Sequence, residues 1–130
     1  MSLRYPRITR TRQERPAAVE PKARKPQLPH RLGGLTVDPE ARIATAGERE
    51  FPLTFMEFEL LTHLVANPRR VHTRRQLLTV IWGPGNSSGA RTIDVHVARL
   101  RRKLGPEYQA LIKTVRQVGY ALDPSKAMAD

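Results

Sequence analysis

The 130 residues carry 23 Lys or Arg against 12 Asp or Glu, a formal net charge of +11, and no Cys. A chain of this length builds one modest core, and its charge favours a polyanionic partner. The missing cysteines exclude disulfides, thiolate nucleophiles and Cys-based zinc sites; no apolar run is long enough to span a membrane or to serve as a secretory signal, and the chain reads as cytoplasmic.

Residues 1–31 hold nine Lys or Arg, two Glu and five Pro. Pro6, Pro16, Pro21, Pro26 and Pro29 remove backbone donors and break helices, and too few apolar side chains are present to offset the entropy of ordering. Residues 1–27 are therefore predicted to be a disordered basic, Pro-rich arm or linker. It is either a passive tether or an arm that adds non-specific phosphate contacts.

The foldable part, 28–123, reads as α+β. Leu32, Leu35 and Val37, then Ile43, then Phe51 and Leu53 are short apolar entries separated by Gly33-Gly34, Asp38-Pro39 and Gly47, as in short antiparallel strands joined by tight turns. Such strands need a helix packed over them. Thr54 and Glu57 form a capping-box pattern. Phe55, Phe58, Leu61, Leu64 and Val65 follow at helical spacing, with Leu60 widening the face. Asn67-Pro68 ends this helix. Thr73 and Gln76 repeat the capping pattern before a shorter helix with Leu77, Leu78, Ile81 and Trp82 inward. Gly83-Pro84-Gly85-Asn86 stops it. A third helix is expected to start at Ser87 or Ser88 and to run to about Leu104. Strands at 111–115 and 119–122 form a closing hairpin, and the tail over 124–130 should fray.

The third helix divides into an apolar stripe and a basic outer surface. Ile93, Val97, Leu100 and Leu104 make the stripe, with His96 at its border. Arg91, Val95, Ala98, Arg99 and Arg102 lie on the far side, flanked by Arg101 and Lys103. Small residues at 95 and 98 let the backbone approach a partner closely, and long arginines beside them can reach into a major groove. Arg99 is the expected base contact; Arg101, Arg102 and Lys103 are expected at phosphates. Lys113, Thr114 and Arg116 stand at or near the hairpin tip, where an arginine can enter a narrow minor groove. Asp94 is expected to orient Arg91 or another arginine, and Tyr120 to pack the hairpin onto the helices. A basic helix face alone is often only a solvated face. The preceding helix and the following hairpin raise the reading to duplex DNA binding.

No catalytic or metal arrangement emerges. His30, His63, His72 and His96 lack a metal-ligand spacing, Ser87-Ser88 lacks an acid–base partner set, and Glu57 and Glu59 lie two apart on a helix and face different ways. No cofactor and no enzymatic activity are expected.

The chain resembles the C-terminal winged-helix effector domain of OmpR/PhoB-type response regulators over residues 28–123. Leu53-Thr54, Glu57-Phe58-Glu59-Leu60-Leu61, Arg75-Gln76-Leu77-Leu78 and Ile81-Trp82-Gly83 carry the likeness in the first two helices. Arg91-Thr92-Ile93-Asp94-Val95-His96-Val97, Leu100-Arg101-Arg102-Lys103-Leu104 and Ile112–Tyr120 carry it in the recognition helix and wing. The resemblance implies a winged helix-turn-helix: an N-terminal four-stranded antiparallel sheet, three helices and a C-terminal β-hairpin wing. It implies bacterial transcriptional regulation at the nucleoid by direct binding to double-stranded DNA, often as head-to-tail dimers on direct repeats; because no spare apolar stripe remains for a strong interface, the free protein is expected to be a monomer. By alignment, contacts fall on Arg99, Arg101, Thr114 and Arg116, and the Gly83–Gly89 loop matches a segment that touches RNA polymerase in some members.

Two departures stand out. Gln117 replaces the glycine that normally follows the wing arginine, and a glycine there permits positive φ. The 130 residues leave no room for the receiver domain of such regulators, so the chain is expected to be either a fragment of a longer protein or a free-standing DNA binder, with the opening Met and the long arm favouring the latter. The competing readings are a protein-interaction module that contacts RNA polymerase or another regulator, and a weakly specific architectural DNA-binding protein. Affinity ratios and salt slopes separate them.

Overall fold

A computed structural model describes residues 27–85 and 89–127. The predicted arm lies outside the described residues, apart from Gln27, whose main-chain N–H donates to Glu40. Also outside are Ser87 and Ser88 and the last three residues of the tail.

Four short strands open the domain: β1 (His30–Leu32), β2 (Leu35–Asp38), β3 (Ile43–Ala46) and β4 (Arg49–Glu50). They form one antiparallel sheet in sequential order. Gly33 and Gly47 supply the positive φ angles of the first and third turns. The Asp38 carboxylate accepts from the main-chain N–H groups of Glu40 and Ala41 in the second. Period-two alternation sends Leu35, Val37 and Ala44 inward.

The helices are α1 (Phe55–Ala66), α2 (Arg74–Trp82) and α3 (Arg91–Leu104). Both predicted capping boxes are present, Thr54 with Glu57 and Thr73 with Gln76. Leu60, Leu61 and Leu64 of α1, Leu77 and Leu78 of α2, and Ile93, Val97, Leu100 and Leu104 of α3 meet in a single core. Ile81 and Trp82 pack at its margin. Phe55 departs from the expected stripe. It sits at the first position of α1, beyond the edge of the core, and is 62% exposed, with the Arg42 guanidinium 4.5 Å from its ring centre. The third helix also starts later than expected, at Arg91 with Ala90 as a cap that offers no side-chain hydrogen bond.

The wing consists of β6 (Ile112–Val115) and β7 (Gly119–Leu122). It is joined by a third strand not foreseen from the sequence, β5 (His72–Thr73), in the order β5-β7-β6. Thr73 is thus both the last strand residue and the cap of α2, so the wing is hydrogen-bonded to the root of that helix. Gly119 makes this possible: a Cβ there would lie 1.9 Å from the His72 carbonyl oxygen. The described part of the tail is ordered rather than frayed. Asp123 caps a single 3-10 turn at Pro124–Lys126, and Ala127 packs against the core.

Candidate nucleic-acid interface

The outer surface of α3 is built by its 3.6-residue repeat. With Ile93, Val97, Leu100 and Leu104 committed to the core, Arg91, Val95, Ala98, Arg99 and Arg102 are left exposed. Among the described residues, Arg99 and Arg102 make no hydrogen bond or ion pair. Val95 is 39% exposed and, with Ala98, keeps this surface low between the long arginines. Three basic residues, Arg101, Arg102 and Lys103, lie in the last turn, where cations complement the helix dipole.

The flanks of α3 hold it in place. On one flank the Asp94 carboxylate accepts from Arg74 of α2 at 2.7 Å and from the Tyr120 hydroxyl of β7 at 2.6 Å. The expected arginine partner is therefore Arg74 rather than Arg91, whose charge acts on Asp94 only through space. Burial alone would raise the Asp94 carboxyl, but the Tyr120 and Arg74 donors hold it below the usual carboxylate value. Burial and the Asp94 carboxylate together push the Tyr120 hydroxyl up.

Arg101 lies on the same flank. Its guanidinium donates to the Ile112 carbonyl and to the Thr114 hydroxyl at 2.7 Å. It sits 5.5 Å from the Tyr120 ring centre, with Arg74 at 5.6 Å. Arg101 thus ties α3 to the wing, and burial lowers its pKa from the ordinary arginine value. The Thr114 hydroxyl, having accepted from Arg101, keeps its own O–H as a donor.

Lys103, expected at a phosphate, is turned the other way. Its ammonium donates to the Glu57 carboxylate at 2.7 Å and to the Pro52 carbonyl at 2.9 Å. The Glu57 side chain is 2% exposed. Burial would raise the Glu57 carboxyl, but Lys103 and the Thr54 N–H hold it below the usual value. Glu57 caps α1 from inside the domain, and a buried carboxylate requires a paired cation. His96, on the same flank as Lys103, contacts the Thr92 carbonyl through Nδ1 and meets Trp82 edge to face at 5.0 Å.

At the wing, Lys113, Thr114, Arg116 and Gln117 are exposed. Arg116 makes no hydrogen bond or ion pair among the described residues. Gln117 takes the left-handed conformation itself, with φ +67°, and the turn is closed by the Val118 N–H on the Val115 carbonyl. The turn thus keeps the backbone conformation that a glycine would have eased. Sequence reasoning missed the joint role of Arg74 and Tyr120. The buried, acidic N3 position of α1 was the available signal for Lys103. The Gly83–Gly89 loop includes three residues outside those described.

Three helices with a hairpin folded against the last of them define a winged helix-turn-helix. The family model "Transcriptional regulatory protein, C terminal" matches residues 48–122. The chain belongs to this family, and its architecture is that of the OmpR/PhoB-type effector domain. The response regulator MprA of Mycobacterium avium (strain 104) is 46% identical over 89 residues, 68% of this chain and 39% of that protein. The MprA of Mycobacterium tuberculosis (strain ATCC 25618 / H37Rv) is 44% identical over 93 residues, 71% of this chain and 40% of that one. The chain thus spans about two fifths of the length of these relatives.

Among solved structures, the Klebsiella pneumoniae RstA DNA-binding domain in complex with the RstA box matches with a TM-score of 0.67 and 31% identity. That match covers 75% of this chain and 99% of the RstA domain. The Thermotoga maritima response regulator DrrB, an OmpR/PhoB homolog, matches with a TM-score of 0.64 and 27% identity, over 75% of this chain and 45% of DrrB. No helix among the described residues is long and apolar enough to cross a membrane.

Proposed function

We propose that this domain binds double-stranded DNA with a sequence preference and regulates transcription by doing so, as a non-enzymatic binder at the bacterial nucleoid. The observation that carries the reading is the exposed α3 surface of Arg91, Val95, Ala98, Arg99 and Arg102, free of acidic partners among the described residues except for the through-space pull of Asp94 on Arg91. The similarity to RstA, whose domain is seen with its own box, supports the same use here.

In this reading α3 enters the major groove. Arg99 meets a base edge, as an arginine fork does with guanine, and Arg91 and Arg102 meet phosphates. Val95 sits against the base edges as a low apolar contact. The wing lies toward the minor groove, with Arg116 at its tip and Lys113, Thr114 and Gln117 beside it. Arg101 acts mainly by fixing the wing against α3 and so sets the span between the two contacts. Lys103 belongs to the fold.

Most of the helices' apolar side chains are spent on the domain's own core and those left exposed form no continuous stripe, so in this reading the free domain is monomeric, with head-to-tail pairing reserved for direct repeats on DNA. Titration against matched and scrambled duplexes at several salt concentrations tests the proposal. An affinity ratio on the order of a thousandfold or more is expected. A small ratio with a steep salt slope would mark a weakly specific architectural binder instead. Arg116→Ala should weaken binding most where the flanking minor groove is narrow; equal loss on all flanks would remove the wing from groove reading.

A further inference from the structure

α2 has a second face. Arg74, Leu77, Leu78 and Ile81 turn toward α3 and the core, so the three-and-four spacing places Arg75, Gln76, Thr79 and Val80 on the other side. With His63 of α1, and Arg70 and His72 from the segment between the helices, they line an open cavity of about 380 Å³. That volume lies within the range of small-molecule sites. The lining residues carry two guanidinium groups, two imidazoles, an amide and a hydroxyl, and no carboxylate lines it among the described residues.

His72 is the singular feature. It is only 4% exposed, and its Nε2 is buried without a hydrogen-bond partner among the described residues. Buried polar atoms in folded proteins are nearly always satisfied. The His63 ring lies against it, 4.8 Å between centres and tilted by 60°. Burial holds both imidazoles below the ordinary histidine pKa. The Arg70 charge adds to this for each, and for His72 the neighbouring His63 does too, with the Asn67 main chain working the other way. The cavity therefore gathers fixed positive charge and two suppressed cations, with no carboxylate among the described residues that line it.

We propose that this cavity binds a small molecule through an oxyanion group, a phosphate or a carboxylate. Arg70 and Arg75 supply the opposing charge. His63 and His72 add positive charge when protonated, and Gln76 and Thr79 add neutral hydrogen bonds. Binding draws protons onto the imidazoles, so affinity rises as pH falls. The site lies on the side of α2 away from Asp94 and does not use the outer surface of α3. It is independent of the DNA reading.

The test uses the full chain and follows the imidazole C–H resonances by NMR. Sodium sulfate is the probe, because its charge does not titrate near neutrality, with sodium chloride at matched ionic strength as control and sodium acetate as the carboxylate arm. Sulfate should shift His63 and His72 saturably, leave His96 in place, and raise the midpoint of His72 titration. Arg70→Gln with Arg75→Gln should abolish saturation, while Arg99→Ala should preserve it. Saturation by sulfate alone assigns phosphate-like dianions; saturation by acetate as well extends the site to carboxylates. Equal shifts with chloride, or undiminished saturation in the Arg70/Arg75 double variant, would overturn the proposal. Loss of the response in Arg99→Ala would also do so, by moving the anion to the α3 surface.

Discussion

Arg99 and Lys103 stand four residues apart on α3, and the domain uses them in opposite ways. Arg99 is exposed and unpaired among the described residues. Lys103 reaches back to Glu57 and Pro52. The same division runs along the whole helix. Arg91, Arg99 and Arg102 form an outward surface, whereas Asp94, Arg101 and Lys103 form flanks tied to α2, the wing and α1. A count of positive charges over residues 91–103 cannot separate the two groups. What separates them is a buried or half-buried partner across the interface: the Glu57 carboxylate and the Ile112 carbonyl accept from Lys103 and Arg101, and Tyr120 and Arg74 donate to Asp94. The outward cations are exposed, and the flanking groups are tied to α1, α2 and the wing.

This division can be broken from the inside. The largest effect is expected from Gly119→Ala, because a Cβ driven against the His72 carbonyl must part β5 from β7. A loss of about 3 kcal/mol or more, read from urea unfolding, is predicted, since overpacking against backbone lies at the upper end of such costs. A loss below about 1 kcal/mol would mean that the β5–β7 pair is not fixed as described.

Lys103→Met should cost about 3 kcal/mol by stranding the Glu57 carboxylate without its partner. DNA affinity per folded molecule should stay near wild type. A matching loss of affinity in a fully folded sample would return Lys103 to the DNA surface. The pH dependence has a definite sign. The folded Glu57 carboxyl is held below its usual value, so the contribution of the pair is complete above the ordinary Glu pKa and is lost as pH falls through the folded value. In the variant the unpaired carboxyl is raised instead, so the stability gap should narrow on acidification.

Tyr120→Phe removes one donor from Asp94 while leaving Arg74. A cost of about 1.5 kcal/mol is expected for a hydrogen bond to a charged acceptor. Thermal unfolding gives the value, and no change at all would show that Arg74 alone holds the carboxylate. The smallest effect is expected from Gln117→Gly. It relieves a left-handed non-glycine residue but adds freedom to the unfolded chain, and the two nearly offset, leaving a change below about 1 kcal/mol.

Much of this architecture is legible in the sequence where the signal is local. Thr54 with Glu57 and Thr73 with Gln76 mark helix starts because each box needs only four consecutive residues. The stripe of Ile93, Val97, Leu100 and Leu104 marks the buried side of α3 by period alone. Phe55 shares the same spacing yet lies outside the core, because period fixes direction and not how far the core extends. β5 is two residues long and exists only through pairing with β7, a contact between distant parts of the chain. The start of α3 at Ala90 carries no side-chain cap and so leaves no mark of its own. The Asp123-Pro124 cap of the tail, by contrast, was a readable signal. At the interface, the outward residues follow from helical period, but the inward turn of Lys103 depends on Glu57, 46 residues earlier.

Arg99→Ala, titrated against a matched and a scrambled duplex under identical salt, tests the division most directly. The structure predicts a loss of about 1–3 kcal/mol on the matched site, with little change on the scrambled one and an unfolding curve equal to wild type. Equal losses on both duplexes, or unchanged affinity for the matched site, would contradict the reading of α3 as the element that recognises sequence.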